Sequence, residues 1–499
     1  MSSSPAALAL AGHWIGGRGV SGRGGRRLAI EDPARGVAVR EVELGDAALV
    51  DEAVATAAAA AAAWGERPLA ARTRVLRAWH GLIEGRREEL VAVMGEEQGK
   101  VRADAEGELM RGLETLEVAC AAGLLLKGEI SPQVATGVDA FSMRMPLGVC
   151  AAITPFNFPF MAPLYLSSIA LACGNAFLLK PSERVPSASL ILAELAAEAG
   201  LPDGVLNVVQ GDREVVDALL DHRGIAAVSF IGSTPVARHV HARGSAAGKR
   251  VQAFGGAKNH MVVMPDADLA FTADAAVSAA FGSSGQRCMA ISVVVAVGDV
   301  GDALVAAIAA RMEQVKVGPA TDPEAEMGPL ISAAARERVG AAVEAAAAAG
   351  ARVVVDGREY EGEGYFVAPT LVDAVTPDLD VYAEEVFGPV LSVVRVATLE
   401  EALALIDDNP YGNGAAIFTR DGGSARRFQR SASAGMIGVN VPIPIPNAIY
   451  SFGGWKDSRF GDQHMAGTEG FRFFTKQKVV TSRWPEAATS PTSLAFPTR

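Results

Sequence analysis

Residues Ala176 to Glu183 read AFLLKPSE, an apolar run that ends at a lysine and turns at a proline. The run has the length and composition of a strand buried on both faces, and a helical segment follows from Ser187 to a stop at Gly200. The same alternation recurs downstream, with strand-like runs at Val205–Gln210 (VLNVVQ), Ile225–Gly232 (IAAVSFIG) and Arg250–Phe254 (RVQAF). This pattern predicts a doubly wound parallel sheet, whose ligand lies at the carboxyl ends of the strands.

The segments on either side extend the α/β pattern. Strands and turns are predicted between Trp14 and Glu43, and helices over the ranges Ala47–Trp64, Leu69–Glu97 and Ala103–Leu126. Phe254 marks the predicted domain boundary. A second α/β set follows it, with the strands SVVVAVG, RVVVDG and LSVVRV and helices over 303–315 and 333–349. The tail from Pro485 is predicted to be frayed or loosely docked.

An uncharged stretch from Met145 to Leu179 superficially permits a membrane span. Pro155, Pro159, Pro163 and the Gly174-Asn175 pair interrupt it, however. In preference to a membrane segment, we predict a buried strand at Val149–Ile153, then a loop, a buried helix and a second strand at 176–179.

Composition excludes several classes of protein. The chain has 499 residues, enough for about three domains, and a net charge of −12, which argues against nucleic acid as a partner. The cysteines Cys120, Cys150, Cys173 and Cys288 are too few and scattered for a disulfide framework, and no CxxC pair suggests a metal site. The N-terminus lacks the basic region of a secretory signal, so we expect a cytoplasmic protein.

The stretch FGSSGQRCMAI, Phe281 to Ile291, is the strongest candidate for chemistry. Small residues precede Cys288 and allow close approach of a ligand, and the adjacent Arg287 can stabilise a thiolate. A free cysteine is also often a small buried hydrophobe. On local features alone, both interpretations of Cys288 stay open.

Three further segments place polar groups where a doubly wound fold binds ligands. In TPFNFP, Asn157 follows a strand and is either an oxyanion donor or a turn-forming residue. In KPSE, Lys180 and Glu183 lie where ribose hydroxyls would bind. In FIGST, Ser233 begins a helix that offers N–H groups to a phosphate, although no GxGxxG fingerprint accompanies it.

Taken together, ITPFNFP, KPSE, FIGST, GQRC and EEVFGPV resemble the aldehyde dehydrogenase superfamily in order and separation, from about Trp14 to Trp484. Further stretches are similar to its CoA-acylating branch, which takes methylmalonate and malonate semialdehydes. They include RGLE, GAKNHMVVMPDADL, PIPIP, SFGGWKDSRFGD and FFTKQKVVTSRW.

The resemblance implies an α/β fold with three parts. These are a Rossmann-like, doubly wound NAD-binding domain (1–127 and 147–253), an α/β catalytic domain (254–453), and a small β oligomerisation arm with the C-terminal tail (128–146 and 454–499). The arm would combine about Gly128–Met145 with Phe471–Ser482. Because an exposed strand pair needs a partner edge, the expected assembly is a homodimer or homotetramer.

The resemblance also implies a role for each site residue. Cys288 is the nucleophile, and Asn157 with the Cys288 N–H holds the oxyanion. Arg111 and Arg287 bind the carboxylate of the substrate. Glu183 disfavours a 2′-phosphate and so favours NAD over NADP. The residues implied for cofactor binding are Thr154, Phe156, Lys180, Glu183, Arg184, Ser233, Glu385 and Phe387. Without the resemblance, Arg111 and Glu385 are better explained as solvated surface charges, and Arg287 as a residue that only tunes the thiol.

Two positions depart from the family pattern. Phe254, in AFGGAKNH, occupies the position at which hydrolytic members carry a general-base glutamate, whereas the CoA-acylating branch usually has asparagine there. Phenylalanine cannot activate water, which favours a thiol, coenzyme A, as acyl acceptor but leaves the deacylation step open. Ala237 replaces a common glycine near the pyrophosphate segment.

The implied reaction is NAD-dependent oxidation of methylmalonate or malonate semialdehyde through a cysteine thioester, giving propionyl-CoA or acetyl-CoA and CO2. Two alternatives stay open. The first is a non-acylating aldehyde dehydrogenase that releases a free acid. The second is a catalytically silent member that acts as a binding subunit.

Overall fold

A computed structural model describes residues 8–23, 25–360 and 362–484. The predicted frayed tail from Pro485 lies outside these residues. The chain begins with short strands, as predicted: β1 (Ala9–Ala11), β2 (His13–Ile15), β3 (Arg18–Val20), β4 (Arg26–Asp32) and β5 (Val37–Leu44). Strands β1, β5 and β4 form a small sheet, whereas β2 and β3 join the first large sheet.

Five helices and a hairpin follow: α1 (Ala47–Glu66), α2 (Leu69–Gly85), α3 (Arg87–Gln98), α4 (Arg102–Cys120), α5 (Ala122–Leu125), β6 (Ile130–Ala135) and β7 (Val138–Pro146). The prediction of single helices over Leu69–Glu97 and Ala103–Leu126 was wrong. Each is broken by one residue with non-helical dihedrals, Arg86 (φ −107°, ψ 20°) and Ala121 (φ −93°, ψ 16°). Gly85, a weak helix former, lies at the first break.

The doubly wound unit comprises β8 (Val149–Ile153), α6 (Met161–Ala172), β9 (Ala176–Lys180), α7 (Ser187–Glu198), β10 (Leu206–Val208), α8 (Arg213–Asp221), β11 (Ala227–Ile231), α9 (Thr234–Ala246) and β12 (Arg250–Phe254). The strand order β12-β11-β8-β9-β10 is parallel throughout, which confirms the predicted sheet. Strand AFLLK lies near its middle and is buried along its whole length.

One described helix, α1, has the length and apolar composition of a membrane span. In this fold its buried residues, among them Leu49, Val50 and Ala53, pack in one apolar cluster with Val149 and Leu178 of the parallel sheet. The indole N–H of Trp64 donates to the carbonyl of Leu171 over 3.0 Å. Helix α1 is therefore part of the core around the first large sheet.

The second α/β unit comprises β13 (Asn259–Val263), α10 (Leu269–Phe281), β14 (Ile291–Val297), α11 (Gly301–Met312), α12 (Ala333–Ala348), β15 (Arg352–Val355), β16 (Thr370–Asp373), α13 (Asp380–Ala383), β17 (Val390–Val396), α14 (Leu399–Asp408), β18 (Tyr411–Gly412), β19 (Gly414–Phe418), α15 (Gly422–Ser431) and β20 (Met436–Val439). Its main sheet has the order β15-β16-β17-β14-β13-β19-β20. Only the β15–β16 pair of that sheet is antiparallel.

The described chain ends with β21 (Trp455–Lys456), β22 (Arg459–Phe460), α16 (Gly467–Phe473) and β23 (Thr475–Arg483). Strand β23 pairs with β7 along nine residues, and β7 pairs with β6, so the two segments predicted for the arm form one three-stranded sheet. Phe471 to Phe473 were predicted to be strand but end a helix. Buried Phe471 and Phe473 anchor that helix in the core.

Candidate active site

A cavity of about 1230 Å³ lies at the carboxyl ends of the first sheet's strands. Ile153, Lys180, Ile231 and Phe254, which end β8, β9, β11 and β12, all line it. Every residue proposed from the sequence for the site also lines it, except Arg184, which is exposed. The location agrees with the rule for ligands of doubly wound sheets.

Cys288 sits on a strained connection between α10 and β14. Ser283 and Ser284 both adopt left-handed dihedrals (φ 50° and 56°), which are unusual for residues with a side chain. A Cβ added to Gly282 would lie 2.3 Å from the Arg287 guanidinium, so the glycine allows the cation to pack on the backbone. The small residues before Cys288 therefore serve the packing of Arg287 and a tight turn.

Two amide side chains hold the main chain of Cys288. Asn259 Nδ2 donates to the Cys288 carbonyl over 2.9 Å, and Asn413 Nδ2 donates to the same oxygen over 3.0 Å. Asn259 is the first residue of β13, and Asn413 directly precedes β19, so both belong to the second unit. Sequence reasoning missed these residues, because nothing local to either asparagine indicates a partner so far away along the chain.

The surroundings of the Cys288 thiol strongly oppose its ionisation. Burial raises its pKa to about 12, and the carboxylate of Glu385 acts in the same direction. The backbone N–H groups of Cys288 and Met289 and the charge of Arg287 favour the thiolate but do not offset these effects. Burial also raises the pKa of Glu385 to about 7.

Asn157 lies in the loop after β8 and is buried. Its Nδ2 donates to the carbonyl of Gln286 over 2.9 Å, so the amide lies directly beside the turn that carries Cys288. Because a primary amide has two N–H groups, one hydrogen is left for a second acceptor. The arrangement suits an oxyanion donor.

The cofactor end of the cavity contains Lys180, Glu183, Thr154 and Ser233. Lys180 Nζ and Glu183 Oε2 are 2.9 Å apart. Burial alone would raise the pKa of Glu183, but the charge and hydrogen bond of Lys180 hold it below its usual value. Glu183 is therefore a carboxylate that can accept hydrogen bonds from ribose hydroxyls.

Two groups at this end have unused hydrogen-bonding capacity. The buried hydroxyl of Thr154 finds no hydrogen-bond partner among the described residues, and Ser233 precedes α9 without a side-chain capping bond to them. The first N–H groups of a helix need acceptors, and a phosphate supplies them. An unsatisfied hydroxyl and an open helix N-terminus fit a dinucleotide.

The loop with Glu385 and Phe387 closes the other side of the cavity. Glu385 Oε1 accepts from the N–H of Ala257 over 2.9 Å, and a Cβ on Gly256 would lie 2.4 Å from Glu385 Oε2. The ring of Phe387 meets that of Phe156 edge-on, with centroids 5.9 Å apart. Buried Lys258, which sequence reasoning also missed, donates from Nζ to the carbonyls of Val381 and Glu384, each over 2.7 Å.

Both proposed substrate arginines line the cavity, and each already has an acidic partner. Arg287 is ion-paired with Asp104, and Arg111 Nη1 lies 2.9 Å from Glu114 Oε2. The Arg287 side chain is 23% exposed and that of Arg111 is 39% exposed. Arg287 is the more enclosed cation, and so the one whose charge is less weakened by solvent.

Sequence reasoning also missed the acidic face of α4. Asp104, Glu108 and Arg111 have i, i+4, i+7 spacing, share one face of the helix and all line the cavity. The stretch DAEGELMR, residues 104–111, carried this signal, since charges at helical spacing define a face.

Phe254 ends β12, is 4% exposed and lines the cavity. It pairs across the strand with Arg459 of β22. Its ring lies in the apolar cluster that contains Phe160 and Met465. No acid–base group exists at this position. Ala237 is fully buried in α9, where its methyl group fills the core against β12.

These features define a class of protein: α/β dehydrogenases with a dinucleotide cleft at the edge of a doubly wound sheet and a cysteine at its inner end. Comparison with known families makes the assignment specific. The aldehyde dehydrogenase family model matches residues 20–480, and the chain belongs to this family.

The chain is 50% identical over 491 residues to a malonate-semialdehyde dehydrogenase of Pseudomonas aeruginosa, covering 97% of this chain and 99% of the relative. It is 45% identical to the mitochondrial, acylating methylmalonate-semialdehyde dehydrogenase of Arabidopsis thaliana, covering 97% of this chain and 80% of the relative.

Among solved structures, the methylmalonate-semialdehyde dehydrogenase of Oceanimonas doudoroffii is 50% identical and superposes with a TM-score of 0.95, covering 96% of this chain and 99% of that one. A 46% identical protein of Sinorhizobium meliloti, solved with NAD, superposes with a TM-score of 0.96 and covers 97% of this chain and 100% of its own.

Proposed function

We propose that this protein oxidises malonate or methylmalonate semialdehyde with NAD and transfers the acyl group to coenzyme A. The products are acetyl-CoA or propionyl-CoA and CO2. The observation that carries the proposal is one cavity lined by Cys288 and two arginines. Phe254 also lines this cavity, at the position where hydrolytic members of the family carry a general-base glutamate. The kinship with malonate- and methylmalonate-semialdehyde dehydrogenases supports it.

In this reaction the Cys288 thiol releases its proton to solvent, and the sulfur attacks the aldehyde carbon to give the anionic form of a hemithioacetal. The Asn157 amide and the Cys288 N–H stabilise the negative oxygen. NAD bound at the Lys180–Glu183 end supplies the hydride acceptor. Loss of hydride from the former aldehyde carbon leaves a thioester on Cys288. The thiol of coenzyme A then displaces the Cys288 sulfur, which regains its proton.

The residues around the thioester favour coenzyme A over water as the acceptor of the acyl group. Water needs a general base, and Phe254 provides none. A thiol depends less on such a base, because sulfur is intrinsically more nucleophilic than water oxygen. Arg287 and Arg111 hold the carboxylate of the semialdehyde. That carboxylate leaves the acyl group as CO2, and the α-carbon takes up a proton from solvent in its place.

A product assay tests the proposal. Purified protein is mixed with malonate semialdehyde and NAD, with and without coenzyme A, and NADH and acyl products are quantified. Catalytic NADH formation should require coenzyme A and yield acetyl-CoA. Turnover without coenzyme A, with a free acid as product, would identify a non-acylating aldehyde dehydrogenase. A Cys288→Ala variant without effect would point to a silent subunit.

The NAD-binding domain is proposed to comprise 1–127 and 147–253, the catalytic domain 254–453, and the arm with the tail 128–146 and 454–499. The parallel strands of the two large sheets fall on either side of Phe254, which supports this division. Within the last range, β22 adds to the edge of the first large sheet and β21 pairs with β18.

A homodimer or homotetramer in the cytoplasm is part of the proposal. The arm sheet is exposed, with Ile130 at 71% and Val479 at 66% exposure, and an open strand edge can pair with another copy. All four cysteines are free, which fits a reducing compartment. Sedimentation of the purified protein should give two or four chains, and a monomer would contradict this part.

A further inference from the structure

Beside the cavity lies an ion pair that is completely withdrawn from solvent. Lys100 Nζ and Glu108 Oε2 are 2.9 Å apart, and both side chains have an exposed fraction of 0%. Burying two charges costs free energy that their mutual attraction recovers only when further hydrogen bonds satisfy the remaining donors and acceptors. The partners of those remaining atoms therefore indicate what the pair does.

All remaining bonds of the pair go to one loop. Lys100 Nζ donates to the main-chain carbonyl of Asn157 over 2.7 Å and lies 4.3 Å from the ring centroid of Phe158. Glu108 Oε1 accepts from the N–H groups of Phe160 and Met161, over 2.8 and 2.9 Å. The pair thus holds both ends of the short segment between Asn157 and the start of α6.

The same segment presents the Asn157 amide to the cavity. Among the described residues, one hydrogen bond restrains the side chain, from its Nδ2 to the Gln286 carbonyl over 2.9 Å. Its direction therefore depends on where the main chain at Asn157 is held, and Lys100 holds it there. An oxyanion donor must be placed before the charge develops, because reorganising it during the reaction would cost activation free energy.

We propose that Lys100 and Glu108 form a positioning pair, which fixes the loop so that the Asn157 amide faces the oxygen of the substrate bound at Cys288. The inference rests on the proposed role of Asn157 as oxyanion donor, but not on which acyl acceptor the enzyme uses. Neither side chain donates to the substrate, so both act through Asn157.

The test removes the loop contact without leaving an unpaired buried charge. In the double variant Lys100→Met, Glu108→Gln, the carbonyl oxygen of the introduced amide still accepts from Phe160 and Met161, but nothing binds the Asn157 carbonyl. Single-turnover NADH formation is measured with saturating NAD, without coenzyme A, using both malonate semialdehyde and propanal. We expect the rate to fall by roughly tenfold to a hundredfold, as when an oxyanion donor is misplaced.

Adding Asn157→Ala distinguishes positioning from general damage. If the pair acts through Asn157, the triple variant should be no slower than Asn157→Ala alone, within about twofold. If the rate of the triple variant instead falls by the product of the losses seen in the double variant and in Asn157→Ala, the inference is overturned. The Asp373→Asn variant removes a different buried carboxylate, paired with Arg352 and Arg395 and outside the cavity lining, and should leave the rate unchanged.

A crystal structure of the double variant supplies a readout independent of activity. The Asn157 Nδ2 to Gln286 carbonyl contact should be lost or lengthened, and its retention at 2.9 Å would overturn the inference. If the wild-type protein oxidises propanal but forms no NADH from malonate semialdehyde, the proposed function is wrong, but the inference about Lys100 and Glu108 is not affected. Should the double variant not fold, Lys100→Leu, Glu108→Gln, which likewise leaves no unpaired buried charge and no donor for the Asn157 carbonyl, is measured in the same way, and the same outcomes support or overturn the inference.

Discussion

The carboxylate of Asp104 is ion-paired with Arg287 and also accepts hydrogen bonds from the N–H and the hydroxyl of Ser283, over 2.8 and 3.0 Å. One side chain of α4 thus holds both the cation beside Cys288 and the left-handed turn before it. Arg287 is oriented by a carboxylate already in the protein. In the proposed function, a substrate carboxylate would therefore meet a cation with a fixed direction.

The first prediction concerns this cation. Arg287→Met should raise the KM for malonate semialdehyde by roughly 10- to 150-fold, because a hydrogen bond to a charged group contributes about 1.5–3 kcal/mol. The KM for propanal, which has no carboxylate, should change little. Steady-state kinetics with both aldehydes checks this. An equal loss for the two aldehydes would mean that Arg287 serves the thiol or the turn and does not select the substrate.

The residues of this site divide into those that the sequence could reveal and those that it could not. Cys288, Asn157, Lys180 and Glu385 stand in short segments whose local chemistry or family resemblance indicates a role. Strand AFLLK was likewise predicted to within one residue of its observed end, because a buried parallel strand is a continuous apolar run.

The residues that were missed act over long separations in sequence. Glu108 binds N–H groups about fifty residues away, and Asn413 binds the carbonyl of Cys288 from 125 residues away. No local periodicity encodes such a partner. The break at Arg86 was missed for a related reason: the apolar pattern continues across it, so that the pattern alone cannot show one non-helical residue.

The second prediction concerns Phe254. A Phe254→Glu variant places a carboxyl group at the position of the missing base, where burial should raise its pKa toward neutrality. Free acid should then form from malonate semialdehyde and NAD without coenzyme A, at a rate above that of the wild type. Chromatography of the acyl products measures it. The control, Phe254→Gln, introduces a side chain as long as glutamate that cannot act as a base. An equal rise in free-acid formation in this control would mean that the smaller side chain simply admits water.

The third prediction concerns cofactor choice. Removing the charge of Glu183, which lies 2.9 Å from Lys180, should relieve repulsion of a 2′-phosphate and free the lysine to bind it. Glu183→Gln should raise kcat/KM for NADP by about tenfold or more relative to NAD. The ratio is measured by NADH and NADPH absorbance. Glu194→Gln, a surface change on α7 outside the cavity lining, is the control for net charge and should leave the ratio unaltered.

The fourth prediction concerns the protonation of Cys288. Because its pKa is raised to about 12, the sulfur is a neutral thiol at pH 7 in the cofactor-free enzyme, and the reactive thiolate fraction should grow about tenfold per pH unit. The rate of iodoacetamide labelling of the Cys288 peptide, followed by mass spectrometry, should rise steadily from pH 7 to pH 10. The half-buried Cys120, whose pKa burial raises to about 11, is an internal comparison in the same digest. A plateau near pH 8 would mean that Cys288 ionises with a pKa of about 7, below that of an ordinary thiol. The attacking thiolate would then exist before the cofactor binds, and the enzyme would need no proton acceptor to activate it.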